Sequence, residues 1–198
     1  MVPEDGSAGY LVDVWEPWAI ATSGDVTPIE PDPWLFEPGA WDHVEEALGT
    51  PLPRDYKDLI GDGLACVFDG ELFITSPFDP NPNVNLLMVA ARSAFALAYL
   101  RHLDPSEYAF TVYPESGGWL GWGVDGGGGN YHWDTTDADP DRWTVRIEGR
   151  PLDPGFERHD LTLMAYLEAL AAGTVKSAAL TDWPGHDPKV RRVVPRGR

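Results

Sequence analysis

Residues 41 to 60 read Trp41-Asp42-His43-Val44-Glu45-Glu46-Ala47-Leu48-Gly49-Thr50-Pro51-Leu52-Pro53-Arg54-Asp55-Tyr56-Lys57-Asp58-Leu59-Ile60, and the spacing of their apolar side chains decides the fold. Trp41, Val44, Glu45 and Leu48 stand at i, i+3, i+4 and i+7, so the apolar members share one side of a helix, and Gly49 follows where a C′ residue ends one. Thr50-Pro51-Leu52 is a short connection. Pro53 suits the first turn of a second helix, where its missing N–H costs nothing, and Tyr56, Leu59 and Ile60 give that helix an apolar face before Gly61 and Gly63. The spacing predicts a helical hairpin.

Downstream the period changes. Cys66-Val67-Phe68 and Leu72-Phe73-Ile74 flank Asp69-Gly70, which predicts two short strands around a primed turn. Pro77, Pro80 and Pro82 stop the second strand. From Asn85 to Leu103 the run is rich in Leu, Ala and Met without Gly or Pro, so a long, largely buried helix is expected. Ala109–Tyr113, Trp119–Gly123, Tyr131–Thr135 and Trp143–Ile147 are β-prone segments between turn signals, consistent with four antiparallel strands in a meander. Asp160 is placed to cap a closing helix from about Leu161 to Ala171, with Leu163, Tyr166, Leu167 and Leu170 on one stripe and Gly173 ending it. The tail from Lys189, with five basic residues, is expected to be loose.

The chain has 198 residues, 43% of them hydrophobic and 12% aromatic, enough for a sizeable core. Nine Trp with 21 Gly and 19 Pro suit many short elements pinned by aromatic anchors, a mixed α+β fold. Residues 1–40 mix Gly, Pro and acids with Tyr10, Trp15, Trp18, Trp34 and Phe36. They read as an extended lead-in that packs aromatics on the body. The formal charge is −18, which disfavours nucleic acid, since phosphate binding needs Lys and Arg to displace counterions. Residues 1 to 99 hold 17 acidic and 3 basic residues. That bias serves solubility or steers a basic partner, and both readings stay open. Cys66 is the one cysteine, flanked by Ala65 and Val67, and reads as a small buried hydrophobe in a reducing compartment. The N-terminus lacks a basic region followed by an apolar one, and no apolar run approaches membrane-spanning length, so a cytoplasmic location is expected.

Gly121-Trp122-Gly123-Val124-Asp125-Gly126 matches G-x-G-x-x-G, but no helix signal follows to hold a pyrophosphate, so a Gly-rich hairpin is the reading. The five His lie far apart without zinc-ligand spacing, and His132, opposite Tyr131 and Trp133 by alternation, reads as exposed or hydrogen-bonded. Asp134, Asp137, Asp139 and Asp141 lack EF-hand spacing and read as turn formers. No nucleophile elbow or cysteine signature is present. Two carboxylates meeting in space could still hydrolyse a glycosidic bond. No cofactor and no metal are expected.

In order, the distinctive words are the 41–59 stretch, then Gly70-x-Leu72-x-Ile74-x-Ser76-Pro77-Phe78, Gly121-Trp122-Gly123-x-Asp125, Tyr131-x-Trp133-x-Thr135 and Asp139-Pro140-Asp141-x-Trp143-x-Val145. This order resembles the SUKH superfamily, the immunity-protein group related to the yeast Smi/Knr regulators of cell-wall synthesis, over roughly residues 41 to 171. The resemblance implies an α+β SUKH fold: a mainly antiparallel sheet of about six strands flanked by an N-terminal helical hairpin, a central long helix and a C-terminal helix. On that frame residues 1–40 are an extension, 41–175 the domain and 176–198 a tail. It also implies a non-enzymatic protein that occludes a toxin of nuclease or deaminase class. The partner so implied is another protein, such as a basic toxin domain, with no nucleic acid and no membrane. Asp125, Tyr131 and Trp133, then Trp122, Trp119 and Trp143, are the candidate contact residues, because Trp and Tyr beside acids make hot spots. A regulatory scaffold of the Smi/Knr type and a carbohydrate-binding or carbohydrate-acting protein are the alternatives.

Overall fold

The computed structural model describes residues 40–61, 63–149, 156–180 and 190–192. The predicted hairpin is present as α1 (Trp41–Leu48) and α2 (Arg54–Ile60). Gly49 adopts the left-handed conformation at φ 73° and closes α1, with Gly49 N and Thr50 N donating back to the Glu46 and Glu45 carbonyls. The Glu45 carboxylate ties the corner, accepting from Leu52 N at 2.9 Å and from Lys57 Nζ at 2.7 Å. Strands β1 (Cys66–Phe68) and β2 (Leu72–Ile74) follow as a hairpin, and both Asp69 (φ 50°) and Gly70 (φ 81°) lie at positive φ, as a primed turn requires. Cys66 is buried there, and burial pushes its thiol up.

Helix α3 (Leu86–Leu103) starts at Asn85, whose side chain accepts from Leu87 N and Met88 N while its amide donates to the Pro77 and Asp79 carbonyls. Every hydrogen-bonding group of this buried amide is thereby engaged. The helix is long and apolar enough, by length and composition, to cross a membrane, which corrects the expectation that no apolar run reaches such a length. Leu86, Leu87, Val89, Ala90, Ser93, Ala94 and Leu97 are buried, whereas Phe95, Tyr99 and Leu103 are each more than half exposed. The expected burial thus holds for one face only.

Strands β3 (Trp119–Asp125), β4 (Asn130–Asp134), β5 (Thr144–Glu148), β6 (Phe156–His159) and β7 (Val190–Arg192) complete an antiparallel sheet of order β6-β5-β4-β3-β2-β1-β7. Six strands run as a meander with α3 inserted between β2 and β3, and β7 adds to the β1 edge. Three expectations change. Residues 109–113 make only an isolated bridge, Val112 with Trp119, and Val112 is buried against Ala94 and Leu97 of α3. The polar segment Phe156–His159 is a strand without an apolar run to announce it. Residues 190–192, expected to be loose, pair with β1, and Arg192 donates to the Leu64 and Leu59 carbonyls. The rest of the tail and the lead-in 1–39 lie outside the described residues.

Helix α4 (Leu163–Ala171) is capped from a distance. Asp55 of α2 accepts from Met164 N at 3.1 Å, while Asp160, the expected cap, pairs with Arg158 instead. Packing continues past residue 175: Ser177 and Ala179 are buried and bond to the Glu157 carboxylate.

The sheet has two unlike faces. On one, Leu72, Ile74, Leu120, Trp122, Tyr131, Trp133, Val145 and Ile147 form the main core with α1, α2, α4 and the start of α3. On the other, Gly121, His132, Arg146 and Arg158 stand in register across β3 to β6, and α3 lies against the Gly121 end. A Cβ at Gly121 would sit 3.0 Å from the Ser93 Cβ, so the glycine lets the helix approach.

Candidate interaction surface

The six residues singled out from sequence separate sharply. Trp122, Tyr131 and Trp133 are 0% exposed and Trp143 is 3% exposed. Their rings form a chain through the core, Trp122–Tyr131 at 5.5 Å, Trp122–Trp133 at 6.1 Å and Trp133–Trp143 at 6.0 Å between centroids, with Tyr56 edge-on to Trp133. None of these four can touch a partner in the folded chain, which corrects their assignment as contacts. The signal was already in the alternation: all four share the strand face of Leu120, Val145 and Ile147.

Asp125 is also buried, and its role is internal. One carboxylate oxygen accepts from Gly127 N at 2.8 Å and Gly129 N at 2.9 Å, and the other accepts from Tyr131 Oη at 3.2 Å. The carboxylate thus organises the Gly126–Gly129 hairpin, and a Cβ at Gly129 would meet it at 2.4 Å. Desolvation pushes the Tyr131 hydroxyl far up, with Tyr166 and Asp125 adding to it, so Tyr131 stays a neutral donor. A second internal carboxylate, Glu157, would be raised by burial, but His159, Ala179 N and Ser177 hold it low.

Trp119 alone among the six is partly exposed. It points to the second face and joins three residues not identified from sequence. Phe110 stacks on it at 4.9 Å and 24°. Phe156 meets Trp119 at 5.4 Å and Phe110 at 5.1 Å, and Tyr108 meets Phe156 at 5.9 Å. In this aromatic shelf Phe110 and Trp119 pack against Ala94, Leu97 and Ala98 of α3, and Phe156 is 37% exposed. Asp134 is the cross-strand neighbour of Trp119 and Glu148 that of Phe156. Burial pushes Glu148 up.

Beneath the shelf, the Trp119 ring lies 5.8 Å from the His132 ring, and His132 Nε2 is 2.5 Å from Ser93 Oγ. His132 lies opposite Tyr131 and Trp133, as alternation implied, and of the two readings it is the hydrogen-bonded one, not exposed. The pair has the look of a serine–histidine dyad, but His132 is fully buried and no carboxylate orients its Nδ1. Burial lowers its pKa to about 3, against a smaller opposing effect of the Arg146 backbone. An imidazole so reluctant to take a proton is no general base near neutrality. Next to it, Arg146 is buried and satisfied by Asp134 at 2.7 Å and the Val145 carbonyl at 2.9 Å.

The acids of the 134–141 loop serve as turn formers. Asp134, Asp137 and Asp139 each accept from the backbone N–H two residues on, and Asp141 holds Arg54. Among the described residues no group of three or more His, Cys, Asp or Glu could hold a metal.

Comparison with known proteins finds no match: no family model fits the chain, and no curated protein or solved structure is detectably similar.

Proposed function

We propose that this chain is a non-enzymatic, cytoplasmic protein-binding module of the SUKH immunity type, which occludes a basic toxin domain of nuclease or deaminase class. The observation that carries the reading is the aromatic shelf. Four rings, Tyr108, Phe110, Trp119 and Phe156, gather outside the main core, with Asp134 and Glu148 as cross-strand neighbours of Trp119 and Phe156, on a chain of charge −18. Trp, Tyr and Phe desolvate well at the centre of an interface, and a negative surround steers a cationic partner and selects against an anionic one. The order of words from Trp41 to Val145 supports the family reading, with which an α+β meander and a helical hairpin are compatible.

The carbohydrate alternative is disfavoured by the rings themselves. A sugar platform needs an open aromatic face, but Phe110 and Trp119 stack on each other and Phe156 meets both edge-on.

The test is inhibition of a basic nuclease or deaminase toxin domain, obtained by affinity capture from the native host and identified by mass spectrometry. Stoichiometric inhibition is expected, with an association rate that falls as salt rises. Phe156→Ala and Tyr108→Ala, each checked for an unchanged melting curve, should each weaken binding about tenfold or more. Full inhibition by both variants, or an association rate indifferent to salt, would remove the shelf and the steering respectively.

A further inference from the structure

We propose that the outer face of α3 is a homodimer interface on which a second copy of the chain docks antiparallel. The inference does not rest on the toxin-binding reading, since it is argued from the ridge Phe95, Tyr99 and Leu103, which takes no part in the shelf. Phe95, Tyr99 and Leu103 are 56%, 56% and 59% exposed. Spaced four residues apart, they form one ridge of the kind that interdigitates with another helix. With Phe156 they are the large exposed hydrophobic residues among the described part of the chain.

Charge selects the occupant. Arg92 lies one turn before Phe95, the first residue of the ridge, and is held by Asn83 Oδ1 at 3.2 Å. Asp104 closes the other end, its carboxylate fixed by Ser106 N, Ser106 Oγ and Glu107 N, and the exposed Glu107 follows. The helix itself carries Arg92, Arg101 and His102 but no acid. Arg101 is offset by Glu115 at 2.6 Å, which leaves Arg92 at the start of the face, the apolar ridge along its middle, and Asp104 and Glu107 just past its end. A twofold axis through the middle sets each Arg92 against the other copy's Asp104 and Glu107, some 18 Å along the helix by its rise of about 1.5 Å per residue. A parallel arrangement would oppose like charges, so the best complement of this face is its own inverted copy.

Area sets the strength. Rings and a Leu of this size bury roughly 150–250 Å² when fully covered, so three at just over half exposure offer on the order of 300 Å² per copy. That is below the ≈ 800 Å² per partner of a stable complex, so the dimer should be weak, with a Kd of micromolar or above.

Sedimentation of the full chain from about 1 μM to about 1 mM tests this. A dimer populated toward the upper end is expected, at least about thirtyfold weaker in Tyr99→Asp. Arg92→Glu should weaken it about tenfold, and adding Glu107→Arg should restore it. Because these side chains are exposed, the variants should keep the wild-type melting curve. A chain monomeric throughout, a dimer indifferent to Tyr99→Asp, or a double reversal that fails to restore association would each overturn the proposal.

Discussion

Acid should unfold this protein through His132 before it does so through the carboxylates. The ring is fully buried between Trp119 and Ser93, and burial lowers its pKa to about 3. In the native chain it is therefore neutral down to that pH, whereas in the unfolded chain it takes a proton near 6.5. A depressed native pKa contributes stability that is complete above the unfolded value and drains as pH falls toward the folded one. The full loss is about 5 kcal/mol by pH 3, at about 1.36 kcal/mol per unit, and about 2 kcal/mol of it is spent between pH 7 and pH 5. Asp104, Asp141, Asp160 and Glu115 are all held low by their hydrogen-bond partners and add their own loss only at lower pH. Glu148, pushed up by burial, works in the opposite sense. Denaturant melts at about pH 7 and about pH 5 on the wild type and on His132→Gln, whose amide can still meet Ser93, isolate the histidine because every other group cancels in the difference. The variant should be less stable at neutral pH and its pH dependence flatter by about 2 kcal/mol. An equal slope in both proteins would refute the burial argument.

Three further substitutions probe the frame that carries the shelf. Gly129→Ala puts a methyl 2.4 Å from the Asp125 carboxylate and should cost about 2–3 kcal/mol in denaturant melts by breaking its bonds to Gly127, Gly129 and Tyr131. Asn85→Ala removes the α3 cap and strands the Pro77 and Asp79 carbonyls, so a loss of about 2–4 kcal/mol is expected, with a loss under about 1 arguing that water replaces the amide. Trp41→Ala removes the ring that meets Tyr56 at 5.8 Å and Phe78 at 4.9 Å. It should cost about 3 kcal/mol, and a change below about 1 would mean the hairpin docks without it.

What could be read from the sequence was what local spacing writes down. The 41–60 stripe, the Asp69-Gly70 turn and the Asn85–Leu103 run each declare themselves within one element, and each stands where the spacing put it. The cap of α4 could not be read, because Asp55 reaches Met164 across 109 positions while Asp160 stood nearby with the right chemistry. Strands β6 and β7 were missed because edge strands are fixed by the neighbour they pair with and need no apolar run. The contact residues went astray for a more instructive reason. Aromatic content marks a ring as valuable without saying which side of the sheet it faces, and only parity with neighbouring aliphatics does that. Trp122, Tyr131, Trp133 and Trp143 share the face of Leu120, Val145 and Ile147 and are core; Trp119 has the other parity and reaches the surface. Its companions come from a loop (Tyr108, Phe110) and from β6 (Phe156), so the shelf exists only once the fold has brought Phe156 of β6 against Phe110 and Trp119. A ring of minority parity on an otherwise apolar strand is therefore the sequence feature that locates the exposed aromatic in this fold.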